Sequence, residues 1–542
     1  MKKETERVYI DYWLELKPYD THSNTDLYFL RLSNKVYAIL SEKPNSLNIE
    51  TFLDTDEIKI LSCFITSYFE DLISETEIWN TFVRSHHELY GKYLPFYNLD
   101  EYYPTEINHQ DIQFLIWYFL NTRENDDYFQ SLNNSTFAIA TDIMAVFEQE
   151  WETAPANNKL KSCYEIGDNE TEYYTAREFI STILFRTYLF YPDTGFELQE
   201  QEQELLAEKG VDPNLMHYLN SNHDKTVHNV YTRLLSLKGK DWASKILAPK
   251  APISKDFANI KGRVDGLFNY KEQDKKDILL EHFPSNKSFK LTKKSFDDSH
   301  LLQQIDRVIH IGLASWRDEW WFSGNYFLPA VDGNLASHEV AKLSSATDVA
   351  FLEDNERVTA FLLAQFKVFK EFNNGQQIVF LPTKKVNDFI RSFIEYHNSN
   401  LSMTERKRVK AKQKAQASAA LSLFDSPQVQ SDFEDSALVF FNPERGIEVA
   451  TNINSAFPAQ YNPYFSADLS DEHLNKMLFN ENISPGLCQY CIENHKSQLP
   501  FFKEGEGKFY LQDLDFLLRY WKKNKYHPKP IISISEKVRS KH

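Results

Sequence analysis

The nearest approach to a metal-ligand spacing in the sequence is Cys488-Gln-Tyr-Cys491, with His495 four residues further on. Zinc takes four nitrogen or sulfur ligands, and a C-x2-C pair supplies half of such a set. A second pair is absent, so only Cys63, Cys163 or remote histidines are left to complete it. The same spacing puts all three residues on one helical face, where two small cysteines pack well. Helix packing is therefore the expectation, with Cys488, Cys491 and His495 as the metal candidates, a redox pair as an alternative, and no cofactor implied.

Other constellations are incomplete. Glu106-Ile-Asn-His109 is half of a di-iron bundle motif, and no second copy is present. His86-His87-Glu88 and His223-Asp224 suggest a His-Asp phosphohydrolase only if the fold brings them together. Asp265, Asp277, Glu281 and His282 stand on or beside strand-like runs, with Lys290 on the next. Nuclease sites place carboxylates and a lysine in that way to hold Mg²⁺ and activate water, but the Glu-x-Lys pair is missing. GxxxxGK[ST], GxGxxG after a strand, HExxH and GxSxG are all absent.

Two binding candidates remain. Arg519, Lys522, Lys523, Lys525, Lys529, Lys537, Arg539 and Lys541 face only Glu536 across residues 516–542, with Phe516, Tyr520, Trp521 and Tyr526 interleaved. Cations neutralise phosphates and rings stack on bases, so Arg519, Lys522, Lys523 and Lys525 suggest a nucleic-acid or protein partner. The alternative is a C-terminal helix whose aromatics are core. The second candidate is Trp321, in SWRDEWWFSG (315–324), where strand alternation sends Trp320 and Phe322 to one face and Trp321 to the other.

The composition bounds these ideas. The chain has 542 residues, 15% aromatic, and a net charge of −18, which disfavours whole-surface binding to nucleic acid or an anionic membrane. Four cysteines make no disulfide framework. The N-terminus lacks an apolar signal region, and FLIWYFL (114–120), the longest apolar run, is too short to span a bilayer. A cytoplasmic protein without membrane contact is expected.

The elements that must position these residues change character along the chain. Residues 1–250 carry helical stripes, among them Leu61, Phe64, Ile65, Tyr68 and Leu72 behind a capping box at Asp54 and Glu57. Eleven acids face Lys59, Arg84 and Lys92 between Asp54 and Glu106. Five short strand-like runs follow over 255–330, predicting a small antiparallel sheet or barrel, with Arg317-Asp318-Glu319 as the last turn. Residues 340–400 read as mixed helix and strand, 402–436 as a linker with a basic run, and 437–542 as a hairpin turning at Asn442–Gly446 plus helices. The fold class is α+β.

Several segments together resemble a known family: TDLYFLRLSNKVY, YFEDLISETEIWNTF, LTKKSF, WRDEWWFSG, LVFFNPERGIEVA and DLDFLLRYWKKNKYHPKP. They are similar to an uncharacterised Bacteroidetes family known only as a domain of unknown function. The resemblance spans nearly the whole chain and implies a bacterial, intracellular protein, with no catalytic residue or cofactor to carry over. A non-enzymatic binding or scaffolding protein is the first expectation, and a metal-dependent hydrolase or nuclease the alternative.

Overall fold

Sequence periodicity becomes element type through burial, and the described residues up to 260 are organised into helices. The computed structural model describes residues 7–41, 49, 52–123, 134–248, 250–296, 307–328, 349, 352, 355–400, 436–504 and 507–527. Two units are distinguished: Met1–Ile260 with Ser315–Asp318, and Lys261–Ala314 with Glu319–His542. The linker read at 402–436 lies almost wholly outside the described residues.

In the first unit run α1 (Ile10–Glu15), α2 (Asp26–Ser41), α3 (Thr55–Ser74), α4 (Ile78–Tyr90), α5 (His109–Arg123), α6 (Asn134–Glu150), α7 (Asn158–Ser162), α8 (Tyr173–Arg186), α9 (Phe196–Lys209), α10 (Leu215–Asn229), α11 (Gly239–Leu247) and α12 (Ser254–Ala258). The capping box starts α3 as expected: Asp54 accepts from the Asp56 and Glu57 amides, and Glu57 accepts from the Asp54 amide at 3.1 Å. FLIWYFL lies in α5, whose residues Asp111–Thr122 are all buried. A helix apolar on every side belongs in the middle of a bundle. Phe64 of α3 packs there against Phe119 of α5 and Tyr188, at centroid distances of 5.5 and 5.8 Å.

The second unit opens with the predicted strands: β1 (Val264–Gln273), β2 (Asp277–His282), β3 (Ser288–Thr292), β4 (Val308–Trp316) and β5 (Glu319–Phe327). They close into a barrel in the order β1-β2-β3-β5-β4. The β4–β5 turn is tighter than expected. Arg317 and Asp318 alone form it, both at positive φ (45° and 64°), and Glu319 already belongs to β5. That is the backbone of a two-residue type I′ hairpin. Neighbouring strands are antiparallel except β3 and β5, which run parallel at Leu291 and Trp320. The sheet read as antiparallel thus carries one parallel pairing, because five strands closed into a ring cannot all alternate in direction. This order and its one parallel seam are those of the OB fold, a Greek-key barrel. Val264, Phe268, Ile278, Leu280, Phe289, Leu291, Ile309 and Ile311 fill it, with Trp320 and Phe322 against them.

Beyond the barrel lie α13 (Asn355–Phe372), β6 (Ile378–Pro382), α14 (Val386–Ser399), β7 (Ser436–Asn442) and β8 (Gly446–Thr451). Strand β7 is the middle of the sheet β6-β7-β8 and is buried throughout. Phe369 of α13 and Phe393 of α14 pack on Phe441. The β7–β8 turn ends at Gly446, whose φ of 93° suits glycine. Helices α15 (Ser470–Phe479), α16 (Pro485–His495) and α17 (Leu514–Trp521) complete an α+β fold.

Candidate functional site

The basic C-terminal segment is built around its aromatics. Phe516, Tyr520 and Trp521 are buried, and Trp521 meets Phe479 of α15 edge-on at 4.9 Å. The sequence expectation of four cations on a surface is corrected for two of them. Lys522 is 0% and Lys523 4% exposed, because they follow the apolar face of α17 into the fold. Lys522 Nζ donates to Met477 O at 2.9 Å and Asn480 O at 2.7 Å, the carbonyls that end α15. Carbonyls at a helix C-terminus lack intrahelical donors, and a cation there also meets the negative end of the helix dipole. Burial lowers the proton affinity of this amine. Arg519 and Lys525 are half-buried. Arg519 pairs with Asp515 at 3.0 Å and lies over the Tyr526 ring. Residues 528–542 lie outside the described residues.

Trp321 is also fully buried, which corrects its reading as a binding residue: no face of the ring is open to a ligand. Alternation does separate it from Trp320 and Phe322, which join the barrel core. The metal candidates Cys488, Cys491 and His495 are buried, each against its own partner. Cys488 Sγ donates to Met477 O at 3.4 Å, Cys491 Sγ to Ala456 O at 3.1 Å, and the His495 ring meets Phe457 edge-on. Among the described residues, no group of three or more His, Cys, Asp or Glu is arranged to hold a metal ion.

The other constellations are drawn to separate partners. His86 Nδ1 lies 2.8 Å from Lys92 O, His223 Nε2 lies 3.0 Å from Ser181 Oγ, and Asp224 pairs with Arg177. His109 contacts Thr141 Oγ1 at 3.0 Å. In the barrel, His282 points inward and its Nδ1 meets Ser285 Oγ at 2.8 Å, whereas Glu281 points outward to Lys271 at 3.1 Å. Asp265 pairs with Arg263 at 3.4 Å. Strand alternation therefore parts the carboxylates from the histidine.

Sequence reasoning missed a polar network inside the helical unit. Helix α3 turns Ser67, Tyr68, Glu70, Asp71 and Ser74 inward. Lys17 donates to Ser67 Oγ and to the Glu70 carboxylate, a fully buried ion pair. Asn157 bridges Glu70 and Tyr19 at 2.8 and 2.9 Å, and Tyr19 donates to Asp26. Asp71 accepts from the Trp79 amide, Thr76 and Tyr188. Asp111 accepts from Tyr68 (2.6 Å), Trp79 Nε1 (3.0 Å), Tyr102 (3.1 Å) and Asn108 (3.2 Å). Burial outweighs these neutral donors and pushes the Asp111 carboxyl up to about 7. A satisfied buried network of this kind fixes helix register. The available signal was an acid within an otherwise apolar helix, His-Gln-Asp111-Ile-Gln-Phe.

The exposed face of the barrel is the remaining site. Residues 271–294 hold seven lysines (271, 275, 276, 287, 290, 293, 294) against four acids, a local excess of cations in an acidic chain. Pleat alternation places Asn269, Lys271, Leu279, Glu281, Ser288 and Lys290 outward, with Glu281 opposite Ser288 and Leu279 opposite Lys290. Lys271, Lys293 and Lys294 are engaged by Glu281, Asp274 O and Glu319. Lys275, Lys276 and Lys290 are exposed and have no ion-pair partner among the described residues. The β1–β2 turn contributes Asp274, Lys275 and Lys276 to the same end.

No helix among the described residues is long and apolar enough to cross a membrane. No curated protein and no solved structure matches the chain significantly. A family model matches residues 7–297, from just before α1 to the turn that follows β3, and with more than half of its length covered the chain belongs to that family, described as proteins of unknown function (DUF3843).

Proposed function

We propose that the protein is a non-enzymatic binding protein that holds single-stranded nucleic acid on the outer β1–β2–β3 face of its barrel. One observation carries this reading: the OB strand order coincides with the lysine-rich stretch 271–294. In OB folds the strand 2–3 face and the β1–β2 loop are where oligonucleotides lie. That part of the argument is an analogy of fold, and the lysines supply the chemistry. The face presents Leu279 rather than an exposed ring, so phosphate neutralisation carries the affinity and base stacking adds little. Arg519 and Lys525 are proposed as auxiliary contacts for a macromolecular partner. The small number of cysteines and the acidic composition support a cytoplasmic setting.

The test is fluorescence anisotropy with labelled single-stranded oligonucleotides over a salt series. Binding should weaken steeply with salt, and changing Lys276, Lys287 and Lys290 to Glu should remove it at moderate salt. Neutralising those three alone should reduce the log–log salt slope by roughly 2. Absence of binding at low salt, or an unchanged slope in the triple variant, rules the reading out.

A further inference from the structure

Three helices meet around one amine. Lys522, fully buried, sends Nζ to Met477 O at 2.9 Å and Asn480 O at 2.7 Å. Cys488, in the first turn of α16 and also fully buried, aims Sγ at the same Met477 O at 3.4 Å. The thiol and the amine therefore converge on one acceptor oxygen. The charges of Glu448 and Glu481 favour the protonated amine, and no carboxylate forms an ion pair with Lys522 among the described residues. A lysine enclosed in this way, with a buried thiol on the same acceptor, is an unusual pairing, since buried ammonium groups ordinarily have an anionic partner.

We infer that Cys488 and Lys522 are a modification site, at which oxidation joins Sγ to Nζ through one oxygen atom. The oxidant is dioxygen, a small apolar molecule that enters protein interiors. The amine reacts in its neutral form, which burial favours. The S–H bond and one N–H bond break, and S–O and O–N bonds form. The second oxygen atom leaves as water with the two hydrogens released. Sulfur and nitrogen each give up two electrons, and dioxygen takes all four. The remaining N–H keeps one carbonyl partner, so the link ties α16 to the end of α17 while loosening the cap on α15. Cys491, on the same helix, donates to Ala456 O and shares no acceptor with a lysine among the described residues. It serves as an internal control.

The experiment uses the full chain, folded, in air-saturated buffer and under anaerobic reduction, read by intact mass and peptide mapping. The expected result is a mass gain of one oxygen less two hydrogens, with the Cys488 and Lys522 peptides joined and one thiol lost. A thiol reductant should reverse all three changes. Cys488→Ser, which keeps size and hydrogen bonding, should abolish the shift. Lys522→Arg should do the same, and if that variant does not fold, Cys488→Ser carries the control. Recovery of Cys488 as a free thiol, or as sulfenic or sulfinic acid on an unlinked peptide, overturns the inference. So does equal cross-linking in the urea-unfolded chain.

Discussion

Lys522 Nζ lies 2.9 Å from Met477 O and closes the C-terminal end of α15 from 45 residues away in the chain. One of the four cations that suggested a partner contact is therefore the donor that two buried carbonyls require. Lys522→Met should cost about 2–4 kcal/mol, because both carbonyls lose their donor inside the fold. Lys525→Met, at a half-buried position, should cost less than about 1 kcal/mol. Urea denaturation measures both, and equal stabilities for the two variants would refute the capping role.

Asp111 makes stability pH-dependent. Its folded carboxyl titrates at about 7, above an ordinary aspartate, so the folded state binds the proton more tightly. The contribution is fully present below about pH 4 and is lost as pH rises through 7, amounting to roughly 4 kcal/mol at most. Asp111→Asn should flatten that fall. His86 works in the opposite direction: burial brings its folded value down to about 4, so its contribution is lost as pH drops from about 6.5 through 4. Denaturation midpoints of the wild type and Asp111→Asn from pH 4 to 8 separate the two. Parallel curves would show that Asp111 is not the group responsible.

Gly312 makes room for Arg263. The guanidinium donates to Ser323 Oγ and Ser323 O at 3.1 Å, and a Cβ on Gly312 would stand 2.1 Å from its Nη2 and 2.3 Å from Ser323 O. Gly312→Ala should cost about 2–3 kcal/mol or more. Arg263→Ala in the same chain should relieve part of the clash, giving a coupling of about 1 kcal/mol in a double-mutant cycle. Strict additivity would show that the arginine is not what the methyl meets.

The capping box at Asp54 gives a local test. Asp54→Ala should lower stability by about 1 kcal/mol, since two amides at the start of α3 lose their acceptor. Thermal unfolding within error of the wild type would contradict this.

The elements were largely legible because their causes are local. The box at Asp54 and Glu57, the stripe along α3, the five short alternating runs and the Gly446 turn depend on residues within a few positions of each other. From these the sequence alone determined helical and strand segments and the α+β class. Tertiary structure decided the rest. Closure of the barrel depends on which distant strands pair, and five strands closed into a ring then require the parallel β3–β5 seam. Burial of Lys522 and Trp321, and the gathering of Tyr68 and Asp111 across 43 residues, depend on which face a distant element covers. A residue's type records its chemistry but not whether water reaches it. Water access separates a lysine that caps a buried helix from one that faces a phosphate.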